Sequence, residues 1–347
     1  MVAGRIRDRP IRQAQKEIRV SGSGMSLWRY AAMRVVQSLP LILGIIVINF
    51  LLINLAPGDP VTALIGDFPA PAEYIETVRQ QFGLDQSLGV RLLTYIGNVL
   101  QGELGFSFNY RVPVLELVLA RLGRTLVLMI TTIVFATAVG LGLGIMAAKW
   151  KDSPLDKFAV GFATVGYSIP VFWSGQLLIL LFAVRLGWLP SSGLRSTRIA
   201  YEGLALYGDM ARHMILPVLA LSLRYIALTT RLTRSSLIET LNSDYVVAAR
   251  TRGIPATRIL WNHGLRAAAT PIITIIGYHF TFIVAGSALV ETVFGWPGVG
   301  RLMYESIGAR DYPTLLGILL MVSVAVIIVN LITDILYAFI DPRIKYD

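Results

Sequence analysis

The amino-acid sequence predicts an all-α polytopic membrane protein with six transmembrane helices and both termini in the cytoplasm. Hydrophobic residues make up 55% of the 347 residues and charged residues only 15%, a balance that soluble domains of this length do not have. Long uncharged segments recur along the chain, and each can cross a bilayer as a helix. Lysine and arginine are concentrated in alternate loops, which orients those helices.

Six segments are predicted to span the membrane. Five of them carry no charge over about 20 residues or more, enough to cover the roughly 30 Å hydrocarbon layer at about 1.5 Å per residue. These are residues 35–55, 125–148, 158–184, 267–290 and 314–333. A further span, residues 214–230, is expected to be short and contains Arg224.

The loops between these spans differ in positive charge. One side carries 19 Lys and Arg, in residues 1–34, 149–157, 231–266 and 341–347. The opposite side carries 11, in residues 56–124, 185–213 and 291–313. Because basic loops stay in the cytoplasm, both termini are placed there. The net charge of +10 is therefore a topology signal and does not indicate nucleic-acid binding, since no base-stacking aromatics interleave with the arginines.

The chain divides into five regions along its length. Residues 1–24 are expected to form a disordered basic extension, and Met25 could be the true start. Residues 25–55 form the N-terminal flank and first span, and 56–124 an extracytoplasmic loop subdomain. Residues 125–340 form the five-span core, with a cytoplasmic tail at 341–347. The first apolar run is too long for a cleavable signal peptide.

The extracytoplasmic loop is predicted to be structured. It opens with a Pro-Gly-Asp-Pro turn at 57–60, and residues 72–81 and 88–100 have helical periodicity on either side of a turn at 82–85. Either this subdomain caps the bundle as a lid or it takes part in receiving a substrate.

Two spans carry small residues on one face. In the second span the ridge of Thr132, Ala136, Gly140, Gly144 and Ala148 is interpreted as a helix-packing surface. In the fifth span a hydroxyl-bearing stripe either lines a wet pathway or packs on another helix. The candidate pathway residues on it are Thr270, Thr274, Tyr278 and Thr281.

The predicted spans contain ionisable residues and prolines whose roles the sequence leaves partly open. Arg224 meets a substrate carboxylate, or it pairs with Asp334 or helix-end carbonyls. His279 lies off the threonine stripe and is interpreted as a hydrogen-bonded packing residue. Pro170, Pro217 and Pro271 permit bends, which suit either a moving or a rigid bundle; they lie in the third, fourth and fifth spans.

The cytoplasmic loop between the fourth and fifth spans is the segment most indicative of function. Asn242 or Ser243 can cap a short helix, and Gly253 can end it in the left-handed conformation. Pro255 suits the first turn of a second helix that runs toward His263. The sequence therefore predicts a bent pair of short basic helices that docks another protein at the membrane surface.

This segment resembles the characteristic cytoplasmic loop of importer-type ABC transporter permeases, in which two small residues, any three residues and a glycine follow one another. Ala248, Ala249 and Gly253 match the pattern, although Val247 stands where many members carry glutamate. In that family the loop is the coupling helix that sits in a cleft of the ATPase subunit. The implied ATPase-coupling site consists of Asp244, Tyr245, Ala248, Ala249, Arg250, Arg252, Gly253 and Ile254.

Further stretches resemble the dipeptide, oligopeptide and nickel branch of these permeases. They are GELGFS at 102–107, RLGRTL at 121–126, SIPVFWSG at 168–175, LPSSG at 189–193, ETVFGWPGVGRL at 291–302, RDYP at 310–313 and DPRI at 341–344. Glu103 replaces a usual aspartate and Gly123 a usual proline. In this order and spacing, which run from about Met25 to the C-terminus, the motifs are highly specific.

The resemblance implies a type I ABC importer-like permease bundle of the "B" type in the bacterial inner membrane. It also implies a second homologous permease, two ATP-binding cassette subunits and an extracytoplasmic solute-binding protein. The chain contains no GxxxxGK[ST] loop, so ATP and Mg are expected on the ATPases and no cofactor on this chain. Di- or oligopeptides are the expected cargo, while nickel chelates, sugars and opines stay open.

Other classes of protein fit the sequence less well. A self-powered carrier or channel would use intramembrane acids, and only Asp334 is available. An intramembrane serine protease would need Ser174 and His279 to act together, with nothing to orient the histidine. No catalytic residue is assigned. No metal site is expected either, because the chain lacks cysteine and its three histidines are dispersed.

Overall fold

The computed structural model describes residues 27–55, 71–81, 86–107, 109–197 and 199–340. The predictions for the basic extension, the turns at 57–60 and 82–85, and the C-terminal tail with its DPRI motif lie outside these residues.

Helices make up most of the described chain. The helices before the first π-helical segment are α1 (Leu27–Leu55), α2 (Ala72–Gln81), α3 (Leu88–Leu100), α4 (Val114–Lys149), α5 (Pro154–Ser168) and α6 (Val171–Leu178). The π-helical segment π1 (Ile179–Arg185) follows directly on α6. The later elements are α7 (Gly203–Leu241), α8 (Asp244–Thr251), α9 (Ala256–Arg258), π2 (Ile259–Leu265), α10 (Arg266–Val293), α11 (Val299–Gly308) and α12 (Tyr312–Ile340). The two periodic segments of the outer loop are helices α2 and α3, as predicted.

Within the described ranges, four helices are long and apolar enough to cross a membrane. The qualifying segments are Ala31–Leu52, Val114–Lys149, Gly203–Leu241 and Tyr312–Thr333. The bent pair formed by α5 with α6 and π1 makes a fifth if it counts as one span. Many of their large apolar side chains are exposed, which suits a surface surrounded by lipid.

The predicted third span is not one straight helix. Its two halves, Pro154–Ser168 and Val171–Arg185, meet at an angle of 105°. Ile169 and Pro170 between them have ψ values of 125° and 134°, which are extended. Proline cannot donate a backbone hydrogen bond and pushes the residue before it out of the helical region, so Pro170 divides the segment.

The helix around the predicted fourth span is longer than expected. Helix α7 has 39 residues and continues through Pro217, and it packs along α4. The contact is close because Gly140 and Gly144 lie against Thr229 and Thr233, and a Cβ on either glycine would lie 2.6 Å from the threonine Cβ. The interpretation of the small-residue ridge as a packing surface is therefore confirmed.

The main hydrophobic core lies where α4, α7 and α10 meet. Its buried members include Met129 and Ile133 from α4, Leu221 from α7 and Ile283 from α10. A short antiparallel hairpin precedes α4, with β1 (Phe106–Ser107) paired to β2 (Val112–Pro113). Ser107 of this hairpin donates its hydroxyl hydrogen to Asp311 at 2.5 Å, which ties the hairpin to the start of α12.

Candidate functional site

Helix α8 is the predicted short helix at the cytoplasmic loop, and it begins after Ser243 in an extended conformation. The Ser243 hydroxyl donates to the Thr240 carbonyl at 2.5 Å instead of capping α8. The tight connection between α7 and α8 is therefore held by this bond and by the backbone bond from the Ser243 N–H to the same carbonyl, at 3.1 Å.

The two faces of α8 have different surroundings. Val246 and Ala249 are buried and pack with Ile259 of π2. The opposite face is exposed and carries Asp244, Tyr245, Ala248 and Arg250, followed by Arg252 in the next turn. The two alanines of the family pattern thus differ, since Ala249 anchors the helix and Ala248 belongs to the surface available to a partner.

Gly253 ends α8 in the left-handed conformation that was predicted, with φ of +75°. Its N–H donates to the Arg250 carbonyl at 2.9 Å, and the Ile254 N–H donates to Ala249 at 3.3 Å. No described atom lies within 4 Å of the place where a Cβ on Gly253 would be. Glycine is therefore favoured here by its backbone conformation and not by lack of space.

The prediction of a separate second short helix is wrong. After Pro255, the helical backbone runs without interruption through α9 and π2 into α10, because the residues at both junctions, Ile259 and Arg266, have right-handed helical angles. Gly264 lies inside π2 and packs against Leu241. The helix that follows α8 is thus continuous with the fifth predicted span.

The threonine stripe of α10 is exposed on this chain. Thr270, Thr274 and Tyr278 face away from the core, and the Thr274 hydroxyl donates to the Thr270 carbonyl at 2.9 Å. Thr274 and Tyr278 line a groove of about 540 Å³ between α10, α1 and α12. The other walls of this groove carry Arg34, Gln37, Ser38, Asn330 and Thr333. The side chain of Thr281 lies outside the described residues.

His279 is fully buried on the opposite face of α10. Its Nε2 lies 2.9 Å from the Thr229 hydroxyl, and its ring meets Tyr225 edge-on at 4.8 Å between centroids. The interpretation as a hydrogen-bonded packing residue is confirmed. Ser174 donates its hydroxyl hydrogen to Val171 at 2.8 Å. The two side chains of the suggested serine protease are thus engaged with different partners.

Arg224 is exposed on α7 and lies over the ring of Tyr167, with 5.0 Å between the guanidinium carbon and the ring centroid. This cation–π contact joins α7 to α5. The side chain of Asp334 lies outside the described residues, so the pairing of Arg224 with it stays a prediction.

An ion pair between α5 and α7 was missed from the sequence. Arg234 of α7 donates to both carboxylate oxygens of Asp156, at 2.5 and 2.8 Å. Asp156 also accepts the Asp152 N–H at 2.9 Å, and its own N–H donates to Ser153 at 3.3 Å. The Ser-x-x-Asp spacing at the start of α5 was the available signal, because it is close to a capping box.

A buried carboxylate organises the junction of α4, α10 and α11, and sequence reasoning did not find it either. Glu291 is fully buried and accepts hydrogen bonds from the Thr125 hydroxyl at 2.7 Å and from the N–H groups of Gly300 and Arg301 at 2.7 and 3.1 Å. The Val299 N–H donates to Thr125 at 2.8 Å. Glu291 therefore satisfies the first turn of α11 and joins it to α4 and α10.

The comparisons with known proteins cover nearly all of the described chain. Residues 140–346 match the family described as binding-protein-dependent transport system inner membrane component, and residues 27–129 match its N-terminal component. The glutathione transport system permease protein GsiC of Salmonella paratyphi A is 40% identical over 317 residues, or 91% of this chain and 99% of that protein. The protein of the same name from Escherichia coli K12 is 39% identical over the same length.

Among solved structures, an inward-facing conformation of the MetNI methionine ABC transporter is similar in fold. The TM-score is 0.53 over 65% of this chain and 97% of that one, at 16% sequence identity. At that identity the likeness concerns the fold alone.

Proposed function

The chain belongs to the family of inner membrane components of binding-protein-dependent transport systems, and from that premise we propose that it conducts short peptides of the size of glutathione. It is a permease subunit of an ABC importer in the inner membrane, and so a transport component. The peptide cargo is supported by the relatives named for glutathione transport. Specificity within this class would also depend on the binding protein.

The proposed topology has six spans and cytoplasmic termini. In it, the bent pair of α5 with α6 and π1 is the third span, and α10, with 28 residues, is the fifth. The excess of Lys and Arg in alternate loops supports this orientation, since it places α8 in the cytoplasm and α11 outside.

The proposed contact with the ATPase is the exposed face of α8 together with the turn at Gly253 and Ile254. The observation that carries this proposal is the buried face of α8, where Val246 and Ala249 are held against a helix that continues into the fifth span. A force on Tyr245 or Arg250 would thus reach the bundle through packed side chains. Two ATP-binding subunits would hold ATP and Mg, and a second permease and a solute-binding protein would complete the assembly.

The proposed pathway lies along the hydroxyl stripe of α10, formed by Thr270, Thr274, Tyr278 and Thr281. Its support is the exposure of Thr270, Thr274 and Tyr278 and the polar groove beside Thr274 and Tyr278. In the assembled importer the second permease would close the open side of this surface. Arg224 is proposed to act structurally, because its contact with Tyr167 fixes the position of α5 on α7.

The test is to purify the complex through this chain, identify the copurifying subunits and reconstitute it in vesicles with its binding protein. We expect ATP-dependent uptake of radiolabelled glutathione or of a tripeptide, and none with a non-hydrolysable nucleotide. If this chain alone moved the peptide at the full rate without nucleotide, the self-powered carrier would be favoured instead. Nucleotide-dependent uptake of another solute would overturn only the assignment of peptides as the cargo.

A further inference from the structure

A pocket of about 310 Å³ lies beside α8, where the ends of α4 and α7 meet the start of α9. Its rim carries Lys149, Lys151 and Arg250, and its floor is formed mainly by Ile238, Leu241 and Leu260. It is separate from the α10 groove assigned to the pathway. The pocket therefore combines a cationic rim with an apolar floor.

The three cations come from three different elements. Lys149 is the last residue of α4, Lys151 lies in the turn after it, and Arg250 belongs to α8. The described lining of the pocket contains no Asp or Glu. All three bases are exposed, and a bound anion would interact favourably with each of them.

The donors at the rim suit an anion with several oxygens. Arg250 donates one N–H to the Leu241 carbonyl at 3.2 Å, which orients its guanidinium at the pocket. A guanidinium has five N–H donors in all, and each lysine ammonium has three. Such donors bind phosphate groups strongly, through charge-assisted hydrogen bonds.

The position of the pocket points to the inner membrane surface. Residues 125–148 are uncharged, and Lys149 follows at once, so the rim begins where the hydrocarbon layer ends. Trp150 is exposed beside it, with the Lys149 Nζ 4.5 Å from its ring centroid. Tryptophan favours the headgroup layer, and basic pockets beside spans on the cytoplasmic side suit anionic headgroups.

We propose that this pocket binds the phosphate group of an anionic ligand, with an inner-leaflet phospholipid headgroup as its source. The apolar floor would accept the glycerol and upper acyl carbons of such a lipid. Because Arg250 is part of α8 and the lysines lie at the end of α4 and in the turn after it, the bound phosphate joins α8 to the bundle. It would favour one position of α8 and so change the response to ATP.

The experiment measures lipid retention directly, without relying on transport. The purified complex is loaded with phosphatidylglycerol or phosphatidylcholine, and retained lipid is counted by native mass spectrometry. We expect about tenfold weaker retention of phosphatidylglycerol in the double variant Lys149→Gln/Lys151→Gln. The matched control, Lys157→Gln/Arg231→Gln, removes two exposed bases that lie outside the pocket lining and should bind as the unmodified protein does.

A second variant and a second ligand separate the outcomes. Lys149→Arg/Lys151→Arg keeps the charge and should retain phosphatidylglycerol, which distinguishes binding from folding. Equilibrium dialysis with inorganic phosphate tests whether the ligand is a soluble phosphate. If the pocket variant lost phosphate binding but retained phosphatidylglycerol normally, the phosphate site would stand and the lipid as its ligand would be rejected. Equal retention of lipid and of phosphate by the pocket variant and the control would overturn the proposal.

Discussion

At the residue scale, Gly253 shows how one backbone angle can matter more than a contact. The position is exposed and has room for a side chain, yet its φ of +75° suits glycine. A β-carbon in this conformation costs about 1–2 kcal/mol. Asparagine tolerates it better than a β-branched residue does. The turn can therefore be tested with substitutions that differ in shape but add no clash.

We predict that Gly253→Val leaves the protein at its normal level in the membrane but strongly reduces ATP-driven uptake, because the end of α8 no longer adopts its turn. Gly253→Asn is the matched control and should retain most of the uptake. Uptake and ATPase activity in vesicles measure the effect. Equal, full uptake by both variants would contradict a coupling role for this turn.

Asp156 illustrates a residue whose importance depends on a distant partner. Its side chain is 4% exposed and that of Arg234 is 25% exposed, so the pair is largely shielded from water.

We predict that Asp156→Asn destabilises the protein by about 2 kcal/mol, since it leaves Arg234 without its charged partner. Asp152→Asn, at an exposed neighbour whose φ of 66° suits asparagine, should have little effect. Thermal unfolding in detergent at neutral pH compares the two variants. Similar melting temperatures of the two variants would show that the ion pair contributes little to the stability of the folded protein.

Sequence reasoning succeeded at residues whose role is local and failed at those whose role is tertiary. The left-handed turn at Gly253 follows from the order of residues around it. The Asp156–Arg234 pair joins residues far apart in sequence, and so does the hydrogen bond between Glu291 and Thr125. Nothing in a single sequence specifies which distant residues will meet.

At the scale of elements, α4 and α7 pack closely along each other. Small residues allow the two backbones to approach, which matters in lipid because apolar burial adds little to the association of helices there. The small-residue ridge of α4 could be predicted from the sequence, because its members recur every four residues. The length of α7 could not, because its polar ends extend beyond the apolar segment that marks a span.

We predict that Gly144→Val destabilises the bundle by about 1–3 kcal/mol or more, because the new Cβ would meet Thr233 at 2.6 Å and the Thr230 carbonyl at 2.9 Å. Gly142→Val lies on the same helix with no described atom within 4 Å and is the matched control. Thermal unfolding and the amount of folded protein in the membrane report the difference. An equally mild effect of both changes would mean that the α4–α7 contact can readjust.

At two positions, packing decides how far a residue's preference for ending a helix takes effect. Pro170 divides the third predicted span, as its chemistry permits, but the angle of 105° depends on packing. Gly264 does not end a helix, although glycine often does, because it lies buried against Leu241 and Leu237. Composition therefore predicts that a break can occur, whereas the neighbouring elements determine whether it does.

For the whole molecule, the fold class and the family were accessible from composition and motif order, while the pathway was not. A polar stripe can face water, a second subunit or another helix of the same chain. The structure shows Thr270, Thr274 and Tyr278 exposed on this chain. The stripe is therefore not covered by another described helix, and the two remaining roles are to line the pathway or to contact the second subunit. Accessibility in the assembled importer separates these two.

We predict that Thr274→Cys, in the naturally cysteine-free chain, reacts with a water-soluble thiol reagent in the assembled complex, and that the peptide substrate slows the reaction. Ile275→Cys, one residue along the helix and less exposed, is the control and should react slowly. Mass spectrometry of the labelled protein measures both rates. Faster labelling of Ile275→Cys would place the aqueous path on another face of α10.

The uninterrupted helix from Ala256 to Val293 has a mechanical consequence. Its length, on the order of 55 Å, carries it from beside α8 to the Glu291 cluster under α11. If this helix tilts as one body about its packed middle near His279, its two ends move in opposite directions. Opening at one face would then close the other, so a leak-free transporter would not need a separate gate for each side.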